Sequence, residues 1–344
     1  MSKMTNPFKT WTAVLCVVIS AMWLSERSDA GIVTFGSLGS AFDMEFVPIG
    51  NANNDDDMTG DPNPAGKVEY AYQMGKFEVS RDMINKANTV GGLGITLHDM
   101  TLLGGNGIHI PATGVTWNEA ARFVNWLNTS TGGFAAYNFT TPGVNDNITL
   151  WTNANVADFN PSNPYRSLRT NYVLPSMDEW YKAAYYDPGS MTYFDYPSSD
   201  GSIPTPVTSG MAPNTAVYGQ PGTLDDPGPA EIMSAGGLSP YGIMGMAGNV
   251  FEMEETDFLL NNDSGLNFRE YRGGSWGVSP VNAFAQMSSS SRSSLLPTSD
   301  GNGVIGLRVA SLSSDAVAVP EPSSLIMFST MALSLLWYRK RLRK

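Results

Sequence analysis

Three short motifs carry the polar side chains with which this chain could do chemistry. They are Gly248–Glu252 (GNVFE), Arg272–Trp276 (RGGSW) and Gly306–Arg308 (GLR). Together they supply carboxylate, guanidinium, amide and hydroxyl groups, which suit ion pairing and hydrogen bonding. A thiol nucleophile is missing from them, because the only cysteine of the sequence is Cys16, far upstream in an apolar segment. Fold and function therefore have to be argued separately.

A structural role accounts for each motif. The pair Gly273–Gly274 permits a bend or a close backbone approach beside a strand. Gly248 lets the chain turn so that the Asn249 amide can tie down neighbouring backbone. Arg308 is expected to pair with a buried carboxylate, for which Glu252 is the first candidate. We expect the following set to hold the fold rather than to catalyse: Gly248, Asn249, Glu252, Arg272, Gly273, Gly274, Ser275 and Arg308.

Capping signals mark the helices that must position these motifs. Thr116 followed by Glu119 forms a capping box that opens an amphipathic helix, and Ser176 followed by Glu179 opens a shorter one. A weaker third helix is expected over Ser80–Asn88. The sequence predicts one domain in which these helices are joined by long irregular stretches.

The rest of the body predicts short strands and loops. Gly and Pro are scattered throughout, and everything after about Asp187 has this loop-rich character. The segment Phe35–Ala65, in which Asn51–Asp57 is nearly all Asn and Asp, predicts a mobile loop, with a cation site as the alternative.

Six segments occur in an order typical of one protein family. They are Tyr72–Ser80, Pro111–Ala120, Tyr172–Trp180, Tyr241–Glu252, Arg272–Trp276 and Gly306–Arg308. This series, across roughly residues 68 to 311, resembles the formylglycine-generating, sulfatase-modifying factor family. The resemblance implies an α+β, C-type-lectin-like fold that is loop-rich, with few helices and short strands.

The resemblance also implies a cysteine pair that this chain does not have. Family members that oxidise a substrate cysteine bind copper through two cysteines, the first three residues after the Ser of the Gly-Gly-Ser stretch and the second five further on. Counting from Ser275 gives Val278 and Ala283, whose side chains can neither bind a metal nor form a thiolate. We therefore expect no copper and no formylglycine generation.

The family cleft is expected to remain as a ligand pocket. Its candidate residues follow the Gly-Gly-Ser stretch and include aromatic, hydroxyl and guanidinium groups. They are Trp276, Val278, Ala283, Phe284, Ser288 and Arg292.

Structural calcium in two loops is a further implication of the resemblance. The first loop comprises Asn214, Thr215 and either Asp225 or Asp226, and the second comprises Ser239, Pro240, Gly242 and Met244. Calcium prefers six to eight oxygen ligands, many of them backbone carbonyls, so such loops suit it. Ser239 stands where the family has an Asn, which shortens the side-chain ligand.

Other catalytic patterns are weaker. The two histidines, His98 and His109, could join Asp99 in a metal triad, but their spacing matches no ligand pattern, and the helical bundle of the iron-dependent sulfoxide synthases is missing. No nucleophile elbow marks a Ser-His-Asp triad. Carboxylate pairs such as Glu252 with Glu254 are plentiful in an acidic body and are weak signals for a glycosidase.

Both ends of the sequence predict export. Residues 1–30 have the basic, apolar and small-residue pattern of a signal peptide, with cleavage after Ala30. After a linker at 313–322, residues 323–344 form a short apolar helix with a basic terminus. With the Pro-Glu-Pro that precedes it, this tail resembles the PEP-CTERM sorting signal, which implies an exosortase as a processing partner and a membrane anchor, at least transiently.

The body between these ends is acidic and has no disulfides. Residues 31–320 hold 12 Lys and Arg against 29 Asp and Glu, a net charge near −17. Such a field repels nucleic acid and suits an exported protein or a binder of cations. We divide this region into a lead-in and loop at 31–67 and a sulfatase-modifying-factor-like domain at 68–312.

These observations favour an exported, surface-associated protein that binds a ligand or has a structural role, without catalysis. A glycan or a surface protein is the expected partner outside the cell. The alternative is an enzyme of altered chemistry, a metal-dependent oxidase or a hydrolase, in the same cleft. The sequence names no ligand.

Overall fold

The computed structural model describes residues 31–141, 143, 145–219, 228–278 and 280–312. The expected signal peptide, most of the linker and the sorting signal lie outside these residues, as do Asp225 and Asp226. Within the described part of the chain, no helix is long and apolar enough to cross a membrane.

Short strands make up most of the regular structure. In chain order the described strands are β1 (Gly31–Phe35), β2 (Phe42–Ile49), β3 (Tyr72–Gly75), β4 (Tyr172–Val173), β5 (Tyr186–Asp187), β6 (Thr192–Tyr193), β7 (Thr205–Val207), β8 (Thr215–Val217), β9 (Phe251–Asp257), β10 (Arg269–Arg272), β11 (Ser293–Leu295), β12 (Ile305–Leu307) and β13 (Ala310–Ser311). They form a five-stranded sheet of order β1-β2-β3-β13-β4, a four-stranded sheet of order β11-β10-β9-β12, and two small two-stranded sheets.

The described residues also form four α-helices: α1 (Arg81–Gly91), α2 (Trp117–Ser130), α3 (Met177–Tyr185) and α4 (Pro280–Met287). Both predicted capping boxes are present, at Thr116 for α2 and at Ser176 for α3. Ser80 caps α1 through the Met83 N–H, so the weak third helix also forms. The fourth helix was not expected, because only loops and strands were predicted after Asp187. The α+β, loop-rich class is confirmed.

The lead-in is part of the main sheet rather than a loop. Strand β2 pairs antiparallel with β1 and β3. Its alternate residues Phe42, Met44 and Phe46 are only 6%, 3% and 1% exposed, as expected for a strand with one face on the core. The prediction of a mobile loop was therefore wrong for this segment.

The Asn- and Asp-rich segment that follows is tied down by hydrogen bonds. The Asn54 amide donates to the Gly66 carbonyl at 2.9 Å. Asp57 accepts from the Tyr181 hydroxyl at 2.6 Å and from the Thr59 N–H at 2.8 Å. These side chains therefore tie the segment to neighbouring parts of the fold.

Strand β9 brings a row of acidic side chains into the protein interior. Glu252, Glu254, Glu255 and Asp257 are all buried. The neighbouring strand β10 is antiparallel and supplies buried Arg269 and Arg272. Because buried carboxylates need partners, these two strands determine where the polar network of the protein lies.

Candidate functional site

The GN and GGSW motifs lie side by side in the structure. The Gly248 N–H donates to the Gly273 carbonyl at 2.7 Å, and the Trp276 N–H donates to the Asn249 carbonyl at 2.8 Å. Gly248 has φ = 76°, and a Cβ there would lie 2.5 Å from the Val217 carbonyl oxygen. Only glycine therefore fits this crossing of the two loops.

Asn249 connects this crossing to the interior. Its side-chain oxygen accepts the Ala230 N–H at 2.8 Å, and its amide nitrogen donates to both Glu78 oxygens, at 3.1 and 2.8 Å. Burial, followed by the charge of Glu252, raises the pKa of Glu78 well above its usual range. Asn249 is thus saturated by contacts that hold the fold.

Arg308 lies against Glu252, the partner that the sequence suggested first. Its Nε donates to the two carboxylate oxygens at 3.1 and 2.9 Å, and both side chains are fully buried. The Trp180 indole donates to the same carboxylate at 2.7 Å. The remaining Arg308 donors reach the Gly75 and Met244 carbonyls at 2.8 and 2.7 Å. A saturated, buried pair of this kind is structural.

Arg272 of the RGGSW motif connects the core to the surface. It contacts Glu270 at 2.5 Å and Glu254 at 3.4 Å. Its Nη1 donates to the carbonyls of Ser289 and Ser291, at 3.3 and 3.0 Å. The guanidinium therefore positions the serine-rich segment that follows α4.

Glu254 is the least satisfied acid in this network. It is fully buried, and neither carboxylate oxygen forms a hydrogen bond to a described residue. Burial first, and then the charge of Glu270, raises the pKa of Glu254 well above its usual range. The environment favours the neutral acid, which is held under a closed surface.

A cleft of about 280 Å³ opens beside Arg272. Its described lining combines rings, guanidinium groups, an amide and hydroxyls: Phe251, Tyr271, Arg272, Gln286, Ser291, Arg292 and Ser293. The Phe251 and Tyr271 rings meet edge to face, with centroids 5.1 Å apart. The Arg292 side chain is 12% exposed and donates to the Phe258 carbonyl at 2.7 Å. The volume is near the lower end of the range for small-molecule sites.

The family profile described as "Sulfatase-modifying factor enzyme 1-like domain" matches residues 38–312. The chain belongs to this family. Its profile begins upstream of residue 68, where we placed the domain boundary, and it includes the whole of β2. No curated protein matches the chain.

Two solved structures show the same fold. One is Treponema denticola variable protein 1, with 19% identity and a TM-score of 0.57, covering 82% of this chain and 98% of that chain. The other, titled "Crystal Structure of CarF", has 15% identity and a TM-score of 0.53 and covers 78% of this chain and 98% of the other. The sulfatase-modifying factor type of α+β fold is therefore confirmed.

Val278 and Ala283, which counting from Ser275 aligns with the cysteines expected from the resemblance, lie just after the GGSW motif. Val278 is half-buried and packs against the cluster of Ala216, Tyr218, Ala247 and Met287. Its carbonyl accepts the Gly219 N–H at 3.0 Å. Ala283 lies in α4. The Val278 side chain thus contributes apolar packing beside this cluster.

Two of the cleft candidates, Arg292 and Trp276, lie in different environments, one at the cleft and one in the core. Arg292 lines the cleft. Trp276 does not belong to that wall, because it is 3% exposed in an apolar cluster with Val217 and Val250, and its indole donates to the Gly303 carbonyl at 3.0 Å. Trp276 is a core residue.

Two further cleft candidates, Phe284 and Ser288, lie in α4 and directly after it. Phe284 is 42% exposed. Ser288 is half-buried, and its hydroxyl accepts the Ser290 N–H at 3.3 Å.

Sequence reasoning missed several lining residues, among them Phe251, Tyr271, Gln286 and Ser293. Phe251 precedes Glu252 in GNVFE, and Tyr271 directly precedes RGGSW. The signal was strand alternation: where Glu252 and Arg272 point inward, their neighbours point to the other face.

The first loop with a family resemblance to a calcium site has its side chains engaged. The Asn214 amide donates to Asp200 at 2.6 Å, and its oxygen accepts the Ser199 hydroxyl at 2.8 Å. The Thr215 hydroxyl donates to the Ala212 carbonyl at 2.7 Å. The expected acidic ligands, at 225 and 226, are outside the described residues.

The second calcium candidate is a tight turn closed by protein donors. The Ser239 hydroxyl donates to the Ala183 carbonyl at 3.0 Å, and the Ser239 carbonyl accepts the Gly242 N–H at 2.8 Å. Pro240 lies within this turn. Since the Met244 carbonyl already accepts a hydrogen bond from Arg308, a cation there would share that oxygen.

The histidine candidates are not gathered into a metal centre. Across the described ranges, no group of three or more His, Cys, Asp or Glu side chains could hold a metal ion. Asp99 instead accepts from the Thr101 hydroxyl at 2.6 Å and from the Asn106 amide at 2.7 Å. These hydrogen bonds lower the pKa of Asp99 to about 2.

Proposed function

We propose that this chain is an exported, surface-associated protein that uses the sulfatase-modifying factor scaffold to bind a ligand, without catalysis. The observation that carries the proposal is the chemistry of the cleft. Its described lining has two rings, two guanidinium groups, an amide and hydroxyls, and neither an imidazole nor a carboxylate. Such groups stack and donate hydrogen bonds, whereas proton transfer needs a group that titrates in the working range.

The second support is the replacement of the family's reactive positions. Val278 and Ala283 stand where two thiols are required, and Cys16 is the only cysteine in the sequence. A ligand that offers apolar and hydrogen-bonding groups together, as peptides and glycans do, suits the Phe251–Tyr271 pair beside Arg292. Export is supported by the sequence patterns at residues 1–30 and 323–344.

Capture from the extracellular matrix of the producing cell tests the binding function. We expect the full chain to retain a specific glycan or surface protein, and Arg292→Gln to reduce that capture about tenfold, because it removes a charge-assisted hydrogen-bond donor from the cleft. Arg169→Gln is the matched control, since Arg169 is 40% exposed and does not line the cleft. Capture that is equal in all three proteins would overturn the proposal.

Elemental analysis separates the proposal from the enzyme alternative. The purified chain is expected to contain no stoichiometric copper or iron. Calcium at one or two equivalents would support the structural role of the two loops. Stoichiometric copper with an oxidase activity would establish the alternative instead.

Processing is tested at the termini of the mature protein. Mass spectrometry is expected to find an N-terminus at Gly31, after the predicted cleavage, and to find the protein in the surface or extracellular fraction. A full-length chain that stays inside the cell would contradict export.

A further inference from the structure

A second groove, about 470 Å³ in volume, lies between α1 and α2 and does not share a residue with the cleft described above. One wall is the end of α1 at Gly91, and the floor is Trp126 of α2. The other wall comes from the segment after α2, with Phe139 and Trp151. The volume falls in the range of small-molecule sites.

The described lining of this groove contains one ionisable side chain that is charged at neutral pH, and it is a cation. Arg122 stacks on the Phe139 ring, with its guanidinium carbon 3.9 Å from the centroid. Its Nη2 donates to the Thr141 carbonyl at 3.1 Å, while its Nε is buried without a partner and its Nη1 makes no hydrogen bond to a described residue. Of its nitrogens, Nη1 is therefore the one left to donate to a ligand.

Two more unpaired polar groups face the same groove. The Trp126 indole N–H and the Asn138 side-chain amide line it, and neither forms a hydrogen bond within the described part of the chain. Gly91 is what keeps the indole edge open, because a Cβ there would lie 2.5 Å from Trp126 Cδ1 and 2.7 Å from its Nε1. Open donors are thus interleaved with aromatic rings.

We propose that this groove binds an acidic saccharide, that is, a pyranose unit that carries a carboxylate. A pyranose has an apolar face of C–H groups that can lie on an aromatic ring, and a rim of hydroxyls that matches the indole and amide groups. Its carboxylate would pair with Nη1 of Arg122; Asp146, the acidic side chain that acts on the charge of Arg122, is not part of the described lining. This proposal is independent of the function proposed for the cleft.

Titration of the full chain, in detergent, with trigalacturonate and with its methyl ester tests the groove. Calorimetry and tryptophan fluorescence report binding. We expect the acid to bind at least tenfold more tightly than the ester, because esterification removes the charge that Arg122 recognises. Equal affinity for both, or no binding of the acid at millimolar concentration, would overturn the proposal.

Variants locate the site. Arg122→Gln is expected to weaken binding of the acid about tenfold and to leave the ester unchanged, and Gly91→Ala to weaken both by pushing the indole into the groove. Arg169→Gln is the matched control, because Arg169 stacks on Phe134 at 3.8 Å in the same manner, away from the groove lining. Thermal unfolding checks that each variant is folded. Binding that Arg122→Gln leaves intact, or that Arg169→Gln weakens equally, would overturn the assignment.

Discussion

Two buried arginines, Arg166 and Arg272, each lie between two glutamates. The carboxylate oxygens are all hydrogen-bonded only in the Arg166 cluster. Arg166 Nε donates to both oxygens of Glu255, at 2.7 and 2.9 Å. Its terminal nitrogens donate to the two oxygens of Glu179, at 2.8 and 2.9 Å. The Tyr137 hydroxyl adds a hydrogen bond to Glu255 at 2.7 Å. Every carboxylate oxygen of this cluster is satisfied.

The hydrogen bonds of Arg272 are distributed differently from those of Arg166. Glu254 has no hydrogen bond to a described residue, and the Arg272 Nε makes none either, although the two groups approach to 3.4 Å. Arg272 donates instead to the carbonyls of Ser289 and Ser291 at the cleft. Since Glu254 and Glu255 are adjacent on β9, they point to opposite faces of one strand. The cluster with complete pairing holds the fold, and the cluster with incomplete pairing reaches the cleft through Arg272.

The largest expected effect is the loss of the complete cluster. Arg166→Met leaves two buried carboxylates without a counter-charge, so the free energy of unfolding should fall by about 3 to 5 kcal/mol. Urea denaturation followed by circular dichroism measures it. Arg169→Met, at an exposed arginine, serves as the control and should change stability by less than about 1 kcal/mol. A loss of under about 1 kcal/mol for Arg166→Met would break the comparison.

Substitution of the neighbouring residues Glu254 and Glu255 on β9 tests the difference between the two clusters most directly. Glu255→Gln removes an acceptor of charge-assisted hydrogen bonds and should lower the free energy of unfolding by about 2 to 3 kcal/mol. Glu254→Gln replaces an acid whose neutral form is already favoured, so its effect should stay within about 1 kcal/mol. Equal losses in the two variants, measured in parallel urea titrations, would mean that the Arg166 and Arg272 clusters do not differ in pairing.

The last expected effect is the change in stability with pH that arises from Asp178. Burial raises the pKa of Asp178 to about 6, against the opposing hydrogen bond from the Gly66 N–H. The folded protein therefore keeps this proton up to about pH 6, whereas an unfolded aspartate releases it near pH 4. The contribution to stability is present below about pH 4 and is lost as the pH rises through 6, by about 1 to 2 kcal/mol. Asp178→Asn should flatten this part of the stability curve relative to the unsubstituted chain, and an unchanged slope would contradict the assignment.

Local signals were sufficient for α1, α2 and α3 and for the Arg308–Glu252 ion pair. The capping boxes at Thr116 and Ser176 lie within four residues of sequence, so they can be read directly. Helix α4 had a signal that was missed, since Pro280 stands at the first helical position, which proline favours. In β2 the alternation of Phe42, Met44 and Phe46 was present, but the Asn- and Asp-rich run behind it obscured the strand.

The cleft was predicted only in part, because its walls come from distant segments. The sequence named Arg292, but it gave no means of placing that residue beside Phe251 and Tyr271. Trp276 shows the converse problem: a large aromatic beside a motif fits a binding site and a core equally well until its neighbours are known. Burial of the indole at 3% exposure decides for the core.

The position of β13 has a consequence for how this protein is made. This last described strand lies in the middle of the five-stranded sheet, where Ala310 pairs with Met74 of β3 and with Val173 of β4. Those contacts join residues more than a hundred positions apart, and such non-local pairing slows folding. Until Ala310 has been synthesised, β3 and β4 each present an open edge that can pair with another chain. A nascent or truncated chain that ends before this strand should therefore be prone to aggregation, and the domain should close only when its synthesis is almost complete.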